Sequence, residues 1–189
     1  MSEIQFNSDF NLPIRALGLG MFDGMHRAHH SLLQQCDALL NFFPHPDIFL
    51  KKNSQLKLLT TTDELKFYVA NLVTLTFNHY ISNLSADAFL DQIVLSFIKP
   101  KKIVVGYDFR FGKQKQGTPD FLKQWAIGQG IGVDIVDAVY YQGVLVKSNV
   151  IRQELMLGDF DRAIALLGHS YLMQGTVIKG DGRGTALGF

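Results

Sequence analysis

The residues best suited to chemistry lie together near the start of the chain, at residues 17–30, LGLGMFDGMHRAHH. Gly18, Gly20 and Gly24 allow a sharp backbone turn and close approach to a ligand. His26 and His29 are three residues apart, so on a helix beginning near His26 they share one face of its first turn. Unpaired backbone N–H groups and the positive end of the helix dipole sit at the same place. Two imidazoles aimed at an anion-binding helix start make this a phosphate site, and we expect it to bind the phosphates of a nucleotide. A metal pair is the alternative for two such histidines, but no third ligand stands at a suggestive spacing. An isolated H-x-x-H would ordinarily be two exposed helix residues. Its place inside a glycine-punctuated turn argues otherwise.

That turn needs a strand before it and a helix after it. Residues 15–19 are short and apolar enough for a buried strand, and Leu32, Leu33 and Cys36 continue at helical spacing after His26. Ala38–Phe43 reads as a second strand, stopped by FPHP at residues 43–46. Cys36 and Asp37 run almost directly into that strand, so either the first helix is very short or residues have dropped out there. Residues 51–61 read as a loop, and Thr61 or Thr62 followed by Asp63 and Glu64 caps a helix over 62–71. Further strands are expected at 73–77, 102–105 and Gly132–Val136. Helices are expected at 86–97, 119–127, 149–157 (capped by Ser148) and 159–167. Strands alternating with helices give an α/β fold with an open parallel sheet covered on both faces. Ligands of such sheets bind beyond the strands' carboxyl ends. The glycine turn, FPHP and GYDFRFG (residues 106–112) all fall there. Residues 171–178 alternate like a strand and lead into a glycine-rich end that could not build a core alone.

Composition narrows the class. The chain has 189 residues, 47% of them hydrophobic, which suits one domain and a fragment of a second. A net charge of +1 provides no general field for nucleic acid, so anionic ligands must be captured locally. A single cysteine excludes an internal disulfide framework. The polar start MSEIQFNSDF does not read as a signal peptide, and no apolar run approaches the roughly 18 residues of a membrane span. We expect a cytoplasmic protein without nucleic-acid or membrane partners. Its oligomeric state is not written in these features.

Several segments carry a family resemblance. GMFDGMHRAHH resembles the G-x-F-D-G-x-H-x-G-H motif of the HxGH nucleotidyltransferases, matching at Gly20, Phe22, Asp23, Gly24, His26 and His29, with Ala28 where glycine is usual. FPHP resembles the F-x-P-H-P segment of the FAD synthetase family. GYDFRFGKQKQG at 106–117 resembles that family's G-x-D-F-x-F-G-x-x-x-x-G loop, and KSNVIRQELMLGD at 147–159 its S-S-T-x-I-R-x-x-L-x-x-G-D segment. The end of the chain, from Leu166, resembles the junction into the riboflavin kinase domain of bifunctional bacterial enzymes.

The resemblance implies a Rossmann-like FMN adenylyltransferase domain over 1–168. It also implies that 169–189 form the first strand and loop of an incomplete riboflavin kinase β-barrel, without kinase activity. The implied reaction transfers AMP from ATP to FMN, with Mg²⁺, giving FAD and pyrophosphate. It places His26, His29 and Arg152 in catalysis, with Arg152 as a bidentate clamp on the triphosphate. Gly20, Phe22, Asp23, Gly24, Ser148 and Asn149 fall to ATP, and Phe43, His45, Asp108, Phe109 and Phe111 to the flavin, with no protein metal site. Lys147 and Asn149 replace the first serine and the threonine of the S-S-T motif, and with Ala28 they predict altered ATP binding. Two other readings stand beside this one: an HxGH adenylyltransferase with another acceptor phosphate, and a non-catalytic flavin- or nucleotide-binding protein.

Overall fold

A computed structural model describes residues 4–6, 13–50 and 55–188. In chain order its elements are β1 (Ala16–Leu19), α1 (Arg27–Leu33), β2 (Ala38–Phe43), α2 (Pro46–Phe49), α3 (Thr62–Leu65), β3 (Leu72–Thr76), α4 (His79–Asn83) and α5 (Ala86–Phe89), which runs on as a π-helix over Leu90–Ile98. There follow β4 (Lys102–Gly106), α6 (Pro119–Gln129), β5 (Gly132–Val136), a hairpin of β6 (Tyr140–Tyr141) and β7 (Val144–Leu145), α7 (Ser148–Leu157), α8 (Phe160–Leu167) and a helical turn α9 (Arg183–Ala186).

The five long strands form one parallel sheet in the order β3-β2-β1-β4-β5. The chain runs outward from β1 to β3, then crosses back to lay β4 on the other side of β1. That reversal puts a topological switch point at the carboxyl ends of β1 and β4, the place where open α/β sheets bind ligands. The strands alternate as two covered faces require. Leu17, Leu19, Leu40, Ile103 and Val105 enter one core with Phe89, Leu90 and Ile93. Leu39 and Val104 enter the other with Phe22, Met25 and Leu32. Gly18 lies among the second set, where a Cβ would stand 2.5 Å from Leu39 Cδ2 and 2.6 Å from Leu32 Cδ2. The missing side chain is what lets α1 pack this close to β1.

The short run between the first helix and second strand resolves as a short helix. α1 has seven residues. The chain then returns through residues 34–37 and fastens at Asp37. Its N–H donates to the Ala16 carbonyl, and its carboxylate accepts the N–H groups of Arg15 and Ala16, both at 3.1 Å.

Three expectations need correction. The helix expected over 62–71 stops at Leu65, although its start carries a full capping box between Thr61 and Glu64. Ser148 is not the cap of α7. Lys147 takes that position, and the Ser148 hydroxyl donates instead to the Asp23 carbonyl at 2.7 Å. The strand expected over 171–178 does not form. A strand needs a neighbour for its N–H and C=O groups, and among the described residues this stretch pairs with none as a strand. Val177 is 99% exposed. The segment is held by single contacts, such as the Gln174 N–H donated to Glu64 Oε1 at 3.2 Å. The expected loop over 51–61 falls partly outside the described residues, at 51–54. The hairpin β6–β7 and helix α4 were not anticipated from the sequence.

Candidate active site at the sheet's switch point

The glycine turn between β1 and α1 is a strained structure held from several sides. Phe22 (φ 51°), Gly24 (φ 91°) and Met25 (φ 39°) all adopt left-handed backbone. For Phe22 and Met25 such a conformation is unfavourable and persists only because the surroundings enforce it. Both side chains are fully buried. Asp23 is the centre of the restraint. Its Oδ1 accepts the N–H groups of Leu59 (2.7 Å) and Thr60 (3.0 Å), while its Oδ2 receives the Arg152 guanidinium. The Gly24 N–H donates to Thr60 Oγ1 at 3.0 Å, and the Gly24 carbonyl lies 3.1 Å from His169 Nε2.

The turn delivers two stacked imidazoles. The rings of His26 and His29 lie 3.6 Å apart at an interplanar angle of 15°, with the Phe22 ring edge-on to His29 at 5.4 Å. His26 occupies the N-cap position of α1 and makes no capping bond with its side chain. The Nδ1 atoms of both rings are buried without a partner among the described residues. Burial pushes the pKa of His26 down from its ordinary 6.5 to about 4. His29 goes well below its ordinary value, first through burial and then through the neighbouring His26. At neutral pH both are uncharged, each able to donate one N–H and accept at the other nitrogen.

Beside them opens a cleft of about 320 Å³ at the switch point, reached by Gly20 after β1, Gly106–Phe109 after β4 and Asp137 after β5. Its far wall is the start of α7, with Lys147, Ser148 and Asn149. Of the residues expected at the site, Gly20, Phe22, His26, His29, Asp108, Phe109, Ser148 and Asn149 line this cleft together. Ala28 lines it too, while packing against the apolar cluster that contains Val146 and Ile151.

The other expected residues sit elsewhere. Arg152 is not part of the lining. Besides Asp23, it donates through Nε to the Lys57 carbonyl at 2.8 Å. Gly24 is buried under Leu59. Phe43 and His45 border a separate hollow of about 20 Å³ with Asp23 and Asn41. His45 caps α2, its Nδ1 accepting the Asp47 N–H at 3.1 Å, and burial lowers its pKa. Phe111 is 6% exposed and belongs to the core. It borders a slot of about 120 Å³ with Phe42, Phe77 and Phe89, and its ring stacks on Phe109 at 5.5 Å.

Sequence reasoning missed Asp137 and Tyr107 in the lining. The carboxyl-end rule, applied after β5 as it was after β1 and β4, would have flagged Asp137. It also treated Lys147 only as a departure from a motif. In the structure Lys147 pairs with Asp108 at 2.6 Å and lies 5.4 Å from the centre of the Tyr107 ring. That pair and Tyr107's phenol raise the lysine's pKa.

The cleft carries two carboxylates, Asp108 and Asp137. Among the described residues no group of three or more His, Cys, Asp or Glu is arranged to hold a metal. That donor set suits a magnesium ion brought by a nucleotide, which keeps its waters and takes one or two protein carboxylates. Nor is any helix among the described residues long and apolar enough to cross a membrane.

The chain has counterparts among known proteins. A solved structure described as a macrolide-efflux protein from Streptococcus pneumoniae superimposes with a TM-score of 0.79 at 26% identity, over 95% of this chain and 64% of that one. A bifunctional riboflavin kinase/FMN adenylyltransferase of Listeria monocytogenes is 31% identical, over 93% of this chain and 60% of its own length. The enzyme of that name from Escherichia coli K12 is 30% identical over 92% of this chain and 60% of its own. The chain thus spans about 60% of the length of these curated relatives. The profile of the family described as FAD synthetase matches residues 11–150, from before the first strand into the start of α7, so the stretch that builds the sheet and the cleft places this chain in the FAD synthetase family.

Proposed function

We propose that the chain transfers the adenylyl group of ATP to the phosphate of FMN, giving FAD and pyrophosphate. The observation that carries this reading is one cleft at the switch point into which the stacked pair His26–His29 and the start of α7 both open. Family membership supplies the acceptor. The division into a transferase domain over 1–168 and a following segment resembling the opening of a kinase domain belongs to the same reading, as does a cytoplasmic location.

In this mechanism a phosphate oxygen of FMN attacks the α-phosphorus of ATP, and the bond from that phosphorus to the β-phosphate oxygen breaks. The FMN phosphate has a second pKa near ~6 and is largely dianionic at neutral pH, so no general base is required. The work is positioning and stabilising charge. His26 and His29 are neutral and buried at Nδ1, which leaves Nε2 to donate to phosphate oxygens. Ser148 and Asn149 line the opposite wall at the N-terminus of a ten-residue helix, whose dipole favours negative charge. Phe109 offers a ring face to the flavin, with Phe111 stacked behind it. Arg152 acts through Asp23, which fixes the turn, as a positioning residue. Asp108 and Asp137 are the residues that would hold a nucleotide-borne Mg²⁺, which supplies charge neutralisation on the phosphates.

The test offers the chain ATP and Mg²⁺ with FMN, phosphopantetheine or nicotinate mononucleotide, and separates the products. FAD and pyrophosphate formed with FMN alone support the reading. ATP consumed only with another acceptor, or FMN bound without FAD formed, overturns it. His29→Ala is expected to lower the rate at least tenfold, the loss of about one charge-assisted hydrogen bond in the transition state.

A further inference from the structure

Arg152, the cation expected from the motif at the triphosphate, is turned away: its Nη2 is on Asp23 and its Nε on the Lys57 carbonyl. The two histidines beside the cleft are uncharged at neutral pH. Among the described residues lining the cleft, Lys147 is the one lysine or arginine, set against the carboxylates of Asp108 and Asp137. A polyanionic ligand therefore meets a lining whose formal charge, one cation and two carboxylates, is −1, and whose single cation is engaged by one of those carboxylates. The engagement is loose in energetic terms. The side chains of Lys147 and Asp108 are 36% and 52% exposed. Pairs this open to water hold only weakly. Lys147 also stands at the N-cap of α7, one residue before Ser148, so its ammonium adds to the positive end of that helix.

We propose that Lys147 is a nucleotide-binding residue of this chain: its ammonium exchanges Asp108 for the phosphates of the bound nucleotide. The proposal rests on the nucleotidyltransferase reading for the identity of the ligand, but only on the geometry of the cleft for the exchange. A lysine suits the exchange because its ammonium is a point charge on a flexible stem, able to swing between two partners. Asp108 is then a competitor for the cation as long as the nucleotide is not bound. The consequence is a pair of opposite effects that a merely structural lysine would not produce.

Binding of a non-hydrolysable ATP analogue is measured by calorimetry, without FMN and without Mg²⁺ (EDTA present, so that the metal-holding role of Asp108 does not enter), for the full chain and its Lys147→Gln, Lys147→Arg and Asp108→Asn variants. Lys147→Gln is expected to weaken binding roughly tenfold, as for loss of one hydrogen bond to a charged group. It should also flatten the salt dependence, because one screened charge pair is gone. Lys147→Arg should restore most of the affinity. Asp108→Asn should tighten binding roughly two- to fivefold by releasing the cation from its rival. Melting temperatures check that the variants fold. Lys147→Gln binding within twofold of the parent with an unchanged salt slope, or Asp108→Asn weakening the nucleotide, overturns the proposal. If the parent forms FAD and Lys147→Gln binds normally, this proposal fails while the transferase reading stands. If no FAD forms but the analogue binds through Lys147, the transferase reading fails while this one stands. A parent that binds no analogue overturns both.

Discussion

Arg152 on α7 reaches back 129 residues to the carboxylate of Asp23, forming an ion pair in which the side chains are 18% and 5% exposed. The same carboxylate takes two backbone N–H groups from the segment before α3. Three distant parts of the chain therefore meet on one carboxyl group, two residues before Met25 and three before His26.

Removing one partner leaves the other buried and uncompensated. Arg152→Met is expected to lower stability by about 3 kcal/mol, the lower end for a buried pair because the guanidinium keeps some contact with water. Chemical denaturation measures it. Asp23→Asn/Arg152→Met should be less destabilised than the sum of the single changes, since neither charge is then stranded. FAD formation should fall with each single variant even well below its melting temperature, because the turn loses its anchor. An Arg152→Met variant as stable as the parent would remove the pair from the account of the turn.

Acid should loosen the same region. The His26 pKa is lowered in the folded chain, so between about 4 and its ordinary 6.5 the unfolded chain binds the extra proton. Stability is at its full value above 6.5 and is lost as pH falls through that window, by roughly 3 kcal/mol for His26 alone. His29 is shifted in the same direction and adds to the loss. A series of denaturation curves from pH 7.5 to 4.5 should show the slope, and His26→Gln should reduce it. An equal slope in parent and variant would place the acid sensitivity elsewhere.

Ala28 lies inside α1 with a side chain that both lines the cleft and packs against the cluster of Val146 and Ile151. Its methyl is therefore in use, and glycine there should cost about 0.5–1 kcal/mol in helix and packing terms. The same change opens the approach to the first turn of α1. KM for ATP is expected to fall by roughly threefold, equivalent to about 0.6 kcal/mol, with kcat little altered. Steady-state kinetics and a melting curve on Ala28→Gly check both signs. An unchanged KM would mean that the methyl does not obstruct the nucleotide.

What could be read from the sequence was whatever is encoded locally. The alternation of Leu17, Gly18 and Leu19, the thrust of Ala38–Phe43 and the capping signal at Thr61 each name their structure within a few residues. The five strands followed from such signals, and strand order set the cleft at the carboxyl ends where the motifs had been placed. The charge partners were not legible. Nothing local says that Arg152 will turn to Asp23, or that Lys147 will meet Asp108 across 39 positions. Alternation of Phe109 and Phe111 allows one of the two to point into the core without saying which; the strand-to-loop geometry sends Phe111 there, leaves Phe109 at the cleft, and keeps Phe43 in a different hollow. The strand expected over 171–178 failed for a related reason. Alternation states which face a strand would show, but not whether a neighbour will be there to pair with it.

The glycine turn is fastened from Thr60, Ser148 and His169, at separations of 36, 125 and 145 residues. During synthesis the turn itself leaves the ribosome early, and the sheet can close once β5 has followed. The fasteners from α7 and beyond arrive last. A growing chain that ends before residue 148 therefore has the sheet and the fasteners at Leu59 and Thr60, but lacks those that Ser148, Arg152 and His169 bring to the strained backbone beneath His26 and His29. The earliest-made part of the site is thus the last to be fully fastened.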